Sequence, residues 1–421
     1  MQSSIKLRLT VMNFLQFAVW GAYLTSMGRY LGTAGFGSEI GNFYAMQGLV
    51  SLFMPALMGI VADRWIPAQR LLGLCHTFAG MLMLGVFLYT QTDTPSYPTL
   101  FALYSLSVAF YMPTLALSNS VAYTSLDQAG LDLVKSFPPI RVFGTVGFIC
   151  TMITVSLLGL EATSGQFAVS AIISLVLAVY AQTLPNCPTA PKGQSKSLVE
   201  ALGLRAFVLF KQRKMALFFI FSMLLGVSLQ ITNGFANPFI STFGEIPAYA
   251  DTFGVKYANI LISLSQLSET LCILLIPFAL RRFGIRRVML IAMVAWVLRF
   301  ALLGLGNPGS GVWLFLLSMI VYGVAFDFFN VSGSLFVDKE TDPSIRSSAQ
   351  GLFMIMTNGI GATLGSLGAQ AVINRFVYSQ REATAILSGW TTSWYIFAGY
   401  AAVVAVLFAL LFRYNTATEA K

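Results

Sequence analysis

Apolar residues run along this chain in long blocks, separated by short clusters of charged residues, Gly and Pro. Blocks of about 20 residues match the length a helix needs to cross the hydrocarbon core of a bilayer. The pattern predicts twelve such spans, at roughly 10–31, 41–62, 70–91, 98–124, 136–160, 165–185, 214–240, 257–280, 286–306, 311–335, 346–375 and 389–413. The sixth and seventh are separated by "LPNCPTAPKGQSKSLVEALGLRAFVLFKQRKM" (Leu184–Met215), which begins with Pro and Lys and then turns amphipathic. Leu198, Leu202 and Leu209 share one face there, with Arg and Lys on the other, so a helix lying on the membrane surface is expected. The chain thus divides into an N-terminal six-helix bundle (1–185), a cytoplasmic linker (186–213) and a C-terminal six-helix bundle (214–421).

The two halves echo each other. "GIVADRWIPAQRLL" (Gly59–Leu72) joins spans two and three, and "PFALRRFGIRRVML" (Pro277–Leu290) stands at the matching place in the second half. Each has a helix-breaking residue, a charged pair four positions on, an aromatic, and then a new span. A weak repeat with six spans per half is the signature of a two-bundle transporter. "GIVADR" also resembles the loop motif of the major facilitator superfamily, through Gly59, Asp63 and Arg64. In that superfamily the Asp and Arg hold the cytoplasmic ends of the bundles together in one state, which implies a gating role here. The following "WIPAQR" departs from the usual glycine and basic residues.

Composition narrows the solvent. Of 421 residues, 57% are hydrophobic and 10% charged, against about 25% charged in soluble domains. That much apolar surface requires lipid around it. The net charge of +9 could suggest nucleic acid, but in a membrane chain it reads as cytoplasmic Lys and Arg. With both termini cytoplasmic, about twenty of the basic residues fall on one side. Arg29, Lys256, Arg375 and Arg381 fall on the other. Cys75, Cys150, Cys187 and Cys272 form no CxxC pair and are read as packing residues. Lys6 and Arg8 precede an apolar run too long for a signal-peptide core, so the first span is expected to be retained.

Polar groups inside spans carry the candidate chemistry, because each is costly in hydrocarbon. Glu269 sits near the middle of "LISLSQLSETLCILLIP", with Gln266 three residues before it on the same helix face. An ionisable carboxyl there is either a proton carrier or a structural group held by a neighbouring helix, with Arg299 as its counter-ion. Asp327 lies in "VYGVAFDFFN", where Tyr322, Phe326 and Asn330 form an aromatic–polar row at four-residue spacing. Arg141, Thr145 and Phe148 share a face in "FPPIRVFGTVGF", with Gly144 and Gly147 allowing close helix approach. Arg141 could equally snorkel to the cytoplasmic surface. Gln230 and Asn233 are three apart on span seven and could simply bridge helices. His76, the single histidine, is given no role. No nucleophile–histidine arrangement, metal-spaced cluster or phosphate-cradling loop is present, so no enzymatic activity, cofactor or metal is expected. Amides and carboxyls beside flat rings suit an uncharged, hydroxyl-rich, ring-bearing ligand. Chemistry alone does not separate a sugar from a nucleoside.

Five longer runs carry a more specific resemblance. "FPPIRVFGTVGFI", "FSMLLGVSLQITNGF", "LSQLSETLCIL", "LSMIVYGVAFDFFNVSGSLFV" and "IRSSAQGLFMIMTNG" resemble the bacterial nucleoside:proton symporter family of the major facilitator superfamily. The resemblance implies the all-α major facilitator fold, twelve transmembrane helices in two bundles, and a multi-pass monomer of the bacterial inner membrane. It implies uptake of purine and pyrimidine nucleosides with protons by alternating access. It assigns substrate contacts to Arg141, Thr145, Phe148, Gln230, Asn233, Gln266, Glu269, Tyr322 and Phe326, and a transport role to Asp327. The coupling proton falls to Glu269 or Asp327. A proton-coupled sugar or polyol symporter of the same superfamily is the competing expectation. A membrane enzyme or receptor is the remaining class, without a catalytic constellation to support it.

Overall fold

The structure, a computed structural model, describes residues 2–189, 204–342 and 345–414. Every regular element among these residues is a helix. In hydrocarbon no backbone N–H or C=O can be left bare, so an apolar block of this length satisfies its own groups as a helix. Among the described residues, nine helices are long and apolar enough to cross a membrane. One of them, Ala258–Leu305, is 48 residues long and bends at Gly284, where φ is 75°. Glycine takes that conformation without a Cβ clash. The bend yields two crossings, matching the predicted eighth and ninth spans. Gln2–Gly21 and the shorter Gly165–Ala181 complete the predicted twelve.

Three spans are less regular than the hydrophobic pattern predicts. The first begins at Gln2, and its helix stops at Gly21 before resuming as Met27–Thr33. The second divides into Ile40–Ser51 and Met54–Arg64, with Pro55 in the first turn of the latter, where its missing N–H costs nothing. The eleventh contains a π-helical stretch, Ile355–Gly361, between Arg346–Met354 and Ala362–Phe376. Hydropathy counts apolar residues and is blind to how the backbone bonds within them.

The matching turns of the two halves are built differently. Arg64 ends one helix and Pro67 precedes the next, Ala68–Tyr89. In the second half Pro277 lies inside the helix and Gly284 makes the bend. Arg286 then donates from Nε to the Phe412 carbonyl and from Nη2 to the Ala409 carbonyl, both at 2.7 Å. It thereby satisfies two carbonyls at the end of the last helix, Ala383–Leu411. Of the predicted surface helix, Leu198 and Leu202 lie outside the described residues. Leu204–Lys211 is a 3-10 helix with Leu209 buried.

The chain forms two compact units, Met1–Phe36 with Met46–Leu202, and Gly37–Ala45 with Gly203–Lys421. Gly37–Ala45 joins the second unit through side chains of helix Ala362–Phe376. Gln370 Oε1 accepts from the Gly41 N–H at 2.5 Å, Gln370 Nε2 donates to the Gly37 carbonyl at 3.0 Å, and Asn374 Nδ2 donates to the Ser38 carbonyl at 3.2 Å. Apolar side chains gain little from facing one another instead of lipid, so close backbone approach and polar bonds must hold such helices. A Cβ at Gly147 would stand 2.1 Å from the Phe14 carbonyl oxygen in the first unit. One at Gly226 would stand 2.1 Å from that of Thr357 in the second.

Candidate functional site

In the first unit, helix Leu133–Leu157 carries Arg141, Thr145 and Phe148. Arg141 and Thr145 are half-buried and Phe148 is buried. The Arg141 guanidinium lies over the Phe17 ring, 4.0 Å from its centroid. This is an engagement with the first span that the polar pattern does not reveal. Phe148 meets Trp20 edge-on, with centroids 6.4 Å apart and planes at 88°. Trp20 in turn lies 6.0 Å from Tyr111.

Behind these rings lies a buried polar cluster centred on His76. Its Nε2 faces Gln16 Oε1 at 2.8 Å and its Nδ1 faces Ser174 Oγ at 2.9 Å. Gln16 Nε2 donates to Thr114 Oγ1 at 2.7 Å, and the Tyr111 hydroxyl donates to the Gln16 carbonyl at 2.9 Å. His76 is therefore a fully bonded internal link between spans one, three and six. A lone histidine in an apolar run gives no hint of such partners.

In the second unit the polar groups of three spans can be followed directly. Asn233 Nδ2 donates to Gln230 Oε1 at 3.1 Å along helix Arg213–Thr242. Tyr322 and Phe326 stack almost parallel, with planes 6° apart and centroids at 5.7 Å. This is what i, i+4 spacing on one helix face allows. The Gln266 side chain lies within polar reach of Tyr322, and Glu269 lies close enough for its charge to act on both Tyr322 and Asp327. Asp327 is 5% exposed, and its Oδ2 accepts no hydrogen bond among the described residues. Gln266, Glu269, Tyr322, Phe326 and Asp327 are thus one neighbourhood. It is drawn together because Gly323 lets the two helices touch: a Cβ there would stand 2.5 Å from the Ser268 carbonyl.

Arg299 departs from expectation. It forms no ion pair with a carboxylate among the described residues. Instead Nη1 donates to the Ser318 carbonyl at 2.8 Å, and the guanidinium lies 4.6 Å from the Tyr322 centroid. Ser318 returns a bond from Oγ to the Arg299 carbonyl at 3.0 Å. Arg299 Nη1 also reaches Ser265 Oγ of the preceding span at 3.4 Å, one turn before Glu269. These contacts brace Tyr322 and tie span nine to spans eight and ten. Arg299→Met should therefore lower stability by about 1–3 kcal/mol, because the charge-assisted bond to the buried Ser318 carbonyl is lost. A thermal melt of the purified protein in detergent reads this, and an unchanged melting temperature would contradict the bracing role.

Asp63 is half-buried and Arg64 exposed at the end of helix Met54–Arg64, before the exposed Trp65. All four cysteines are free, with Cys75, Cys187 and Cys272 buried and Cys150 exposed. Among the described residues, no group of three or more His, Cys, Asp or Glu is arranged to hold a metal.

The helical architecture and its buried intramembrane polar groups define a multi-pass membrane transporter. Comparison with known proteins specifies which kind. A family model described as "Nucleoside H+ symporter" matches residues 3–417. The chain is 50% identical over 415 residues to the xanthosine permease of Escherichia coli (strain K12), covering 98% of this chain and 97% of that protein. It is 47% identical over 415 residues to the nucleoside permease NupG of the same organism, with the same coverage. The crystal structure of nucleoside transporter NupG matches with a TM-score of 0.89 at 47% identity, over 98% of this chain and 100% of that one. The chain belongs to the nucleoside H+ symporter family.

Proposed function

We propose that this protein imports nucleosides together with protons across the bacterial inner membrane by alternating access. The observation that carries the reading is the stacked Tyr322–Phe326 pair beside Gln266 and Glu269. A flat apolar surface bordered by an amide and a carboxyl suits a base or ribose face with hydrogen-bonding edges. Gln230 and Asn233 add amide donors and acceptors for base edges and ribose hydroxyls. In the first unit, Arg141, Thr145 and Phe148 provide a guanidinium, a hydroxyl and a ring, which the family resemblance assigns to nucleoside contact. Glu269 or Asp327 takes the proton. The names of the relatives, xanthosine permease and nucleoside permease, support a nucleoside cargo, and the family resemblance extends it to purines and pyrimidines.

The reading carries the sequence-based division into two six-span bundles, 1–185 and 214–421, joined by a cytoplasmic linker at 186–213. The Lys and Arg distribution supports cytoplasmic placement of both termini. Asp63 and Arg64 serve as gating residues at the cytoplasmic ends of the bundles, and the protein works as a monomer surrounded by lipid. Uptake of labelled uridine, challenged with a panel of nucleosides and sugars, tests the cargo. Purine and pyrimidine nucleosides should compete at micromolar to millimolar levels while glucose and polyols do not. Competition by sugars alone would transfer the assignment to the sugar branch of the superfamily.

A further inference from the structure

The first span supplies span five with a side chain that has no polar atom and yet meets its guanidinium. The Arg141 guanidinium lies 4.0 Å from the Phe17 ring centroid. A guanidinium is a planar fork of five donors along its edge, and a ring against its face restrains its tilt. The slot is built for this pairing. A Cβ at Gly144, one turn after Arg141, would stand 2.6 Å from a Phe17 ring carbon and 2.9 Å from Arg141 Nη1. A methyl at that position would push the ring or the guanidinium out of this arrangement.

Phe17 is itself held on both sides along the first span. The Phe14 carbonyl presses on Gly147, and the Phe148 carbonyl presses on Gly21, where a Cβ would stand 2.4 Å away. The neighbouring Gln16 is locked by Thr114 and His76. The ring therefore projects from a backbone that has little freedom to shift. We propose that Phe17 is a positioning residue that aims the Arg141 fork at the nucleoside. The proposal rests on the reading of Arg141 as a nucleoside contact.

A double-mutant cycle on uridine uptake, normalised to the amount of protein in the membrane, tests it. Arg141→Gln should raise KM about tenfold through loss of charge-assisted hydrogen bonds. Phe17→Met, which keeps bulk without a ring face, should raise KM about fivefold with Vmax within about twofold. Phe17→Tyr should stay within about twofold of the parent, because the ring face survives. The combined variant should be no worse than Arg141→Gln alone. A KM effect of Arg141→Gln with none from Phe17→Met, or with effects that multiply, overturns the positioning role and leaves the nucleoside site intact. No effect of Arg141→Gln removes Arg141 from the site, and the proposal with it. Fluorinated phenylalanines at position 17 keep the shape and weaken the ring's hold on a cation, so they serve if Phe17→Met does not reach the membrane. KM should climb with each added fluorine, and a flat series refutes the proposal.

Discussion

Replacing both carboxyls of the second unit, Glu269→Gln with Asp327→Asn, is expected to abolish accumulation of uridine against its gradient. Carrying one positive charge down about 100 mV releases roughly 2.3 kcal/mol. At about 1.4 kcal/mol per decade, this supports close to 50-fold accumulation. Without a group to carry the proton, the inside-to-outside ratio should fall to about one, however well the amides and rings still bind. Both substitutions keep size and hydrogen-bonding capacity, so the Tyr322–Phe326 stack has no reason to collapse. The measurement is the steady-state ratio of labelled uridine in energised cells, with and without an uncoupler. Accumulation that survives the double substitution and still vanishes with uncoupler would place the proton elsewhere. The single variants then separate the roles. The one that loses accumulation while keeping exchange of internal for external uridine marks the proton carrier.

Gly147→Ala should have the largest structural effect of any single methyl added to the first unit. Its Cβ would stand 2.1 Å from the Phe14 carbonyl oxygen, and backbone cannot swing aside as a flexible side chain does. The first and fifth spans must separate, at a cost of about 3 kcal/mol. Helix Leu133–Leu157 would carry Arg141, Thr145 and Phe148 with it. A lower melting temperature and a higher KM for uridine in the surviving protein are expected together. Gly368→Ala is the control: nothing lies within 4 Å of its Cβ, and alanine favours the helix slightly. Equal melting temperatures for the two variants would show that the helix pair tolerates the added methyl.

The legible parts of the site are those whose signal lies within one helix. Tyr322 and Phe326 stack because four residues is close to one turn, and Asn233 bonds Gln230 because three residues is nearly so. The glycines flanking Arg141 announced a close helix approach, and Gly144 and Gly147 make it. Partners across helices were not legible. Arg299 was expected to neutralise a carboxylate, since that is the cheapest company for a buried cation, yet it bonds the Ser318 carbonyl and faces Tyr322. Arg141 was balanced between the membrane surface and a functional face, and its contact with Phe17 lies 124 positions away in the chain. His76 offered no pattern at all, because its partners Gln16 and Ser174 come from two other spans.

The sequence by itself determined that the solvent is lipid, that twelve apolar blocks cross it as helices, and which few polar side chains stand inside them. Those conclusions follow from transfer cost and backbone hydrogen bonding, which act residue by residue and need no knowledge of neighbours. Tertiary structure alone decided where helices break and which side chains meet. The halt after Gly21, the bend at Gly284 and the pairing of Arg141 with Phe17 depend on packing between segments distant in the chain. In a membrane, hydrophobicity drives each helix into lipid but does not choose its partners. That choice falls to small residues and a handful of polar bonds, whose geometry exists only once the helices are side by side.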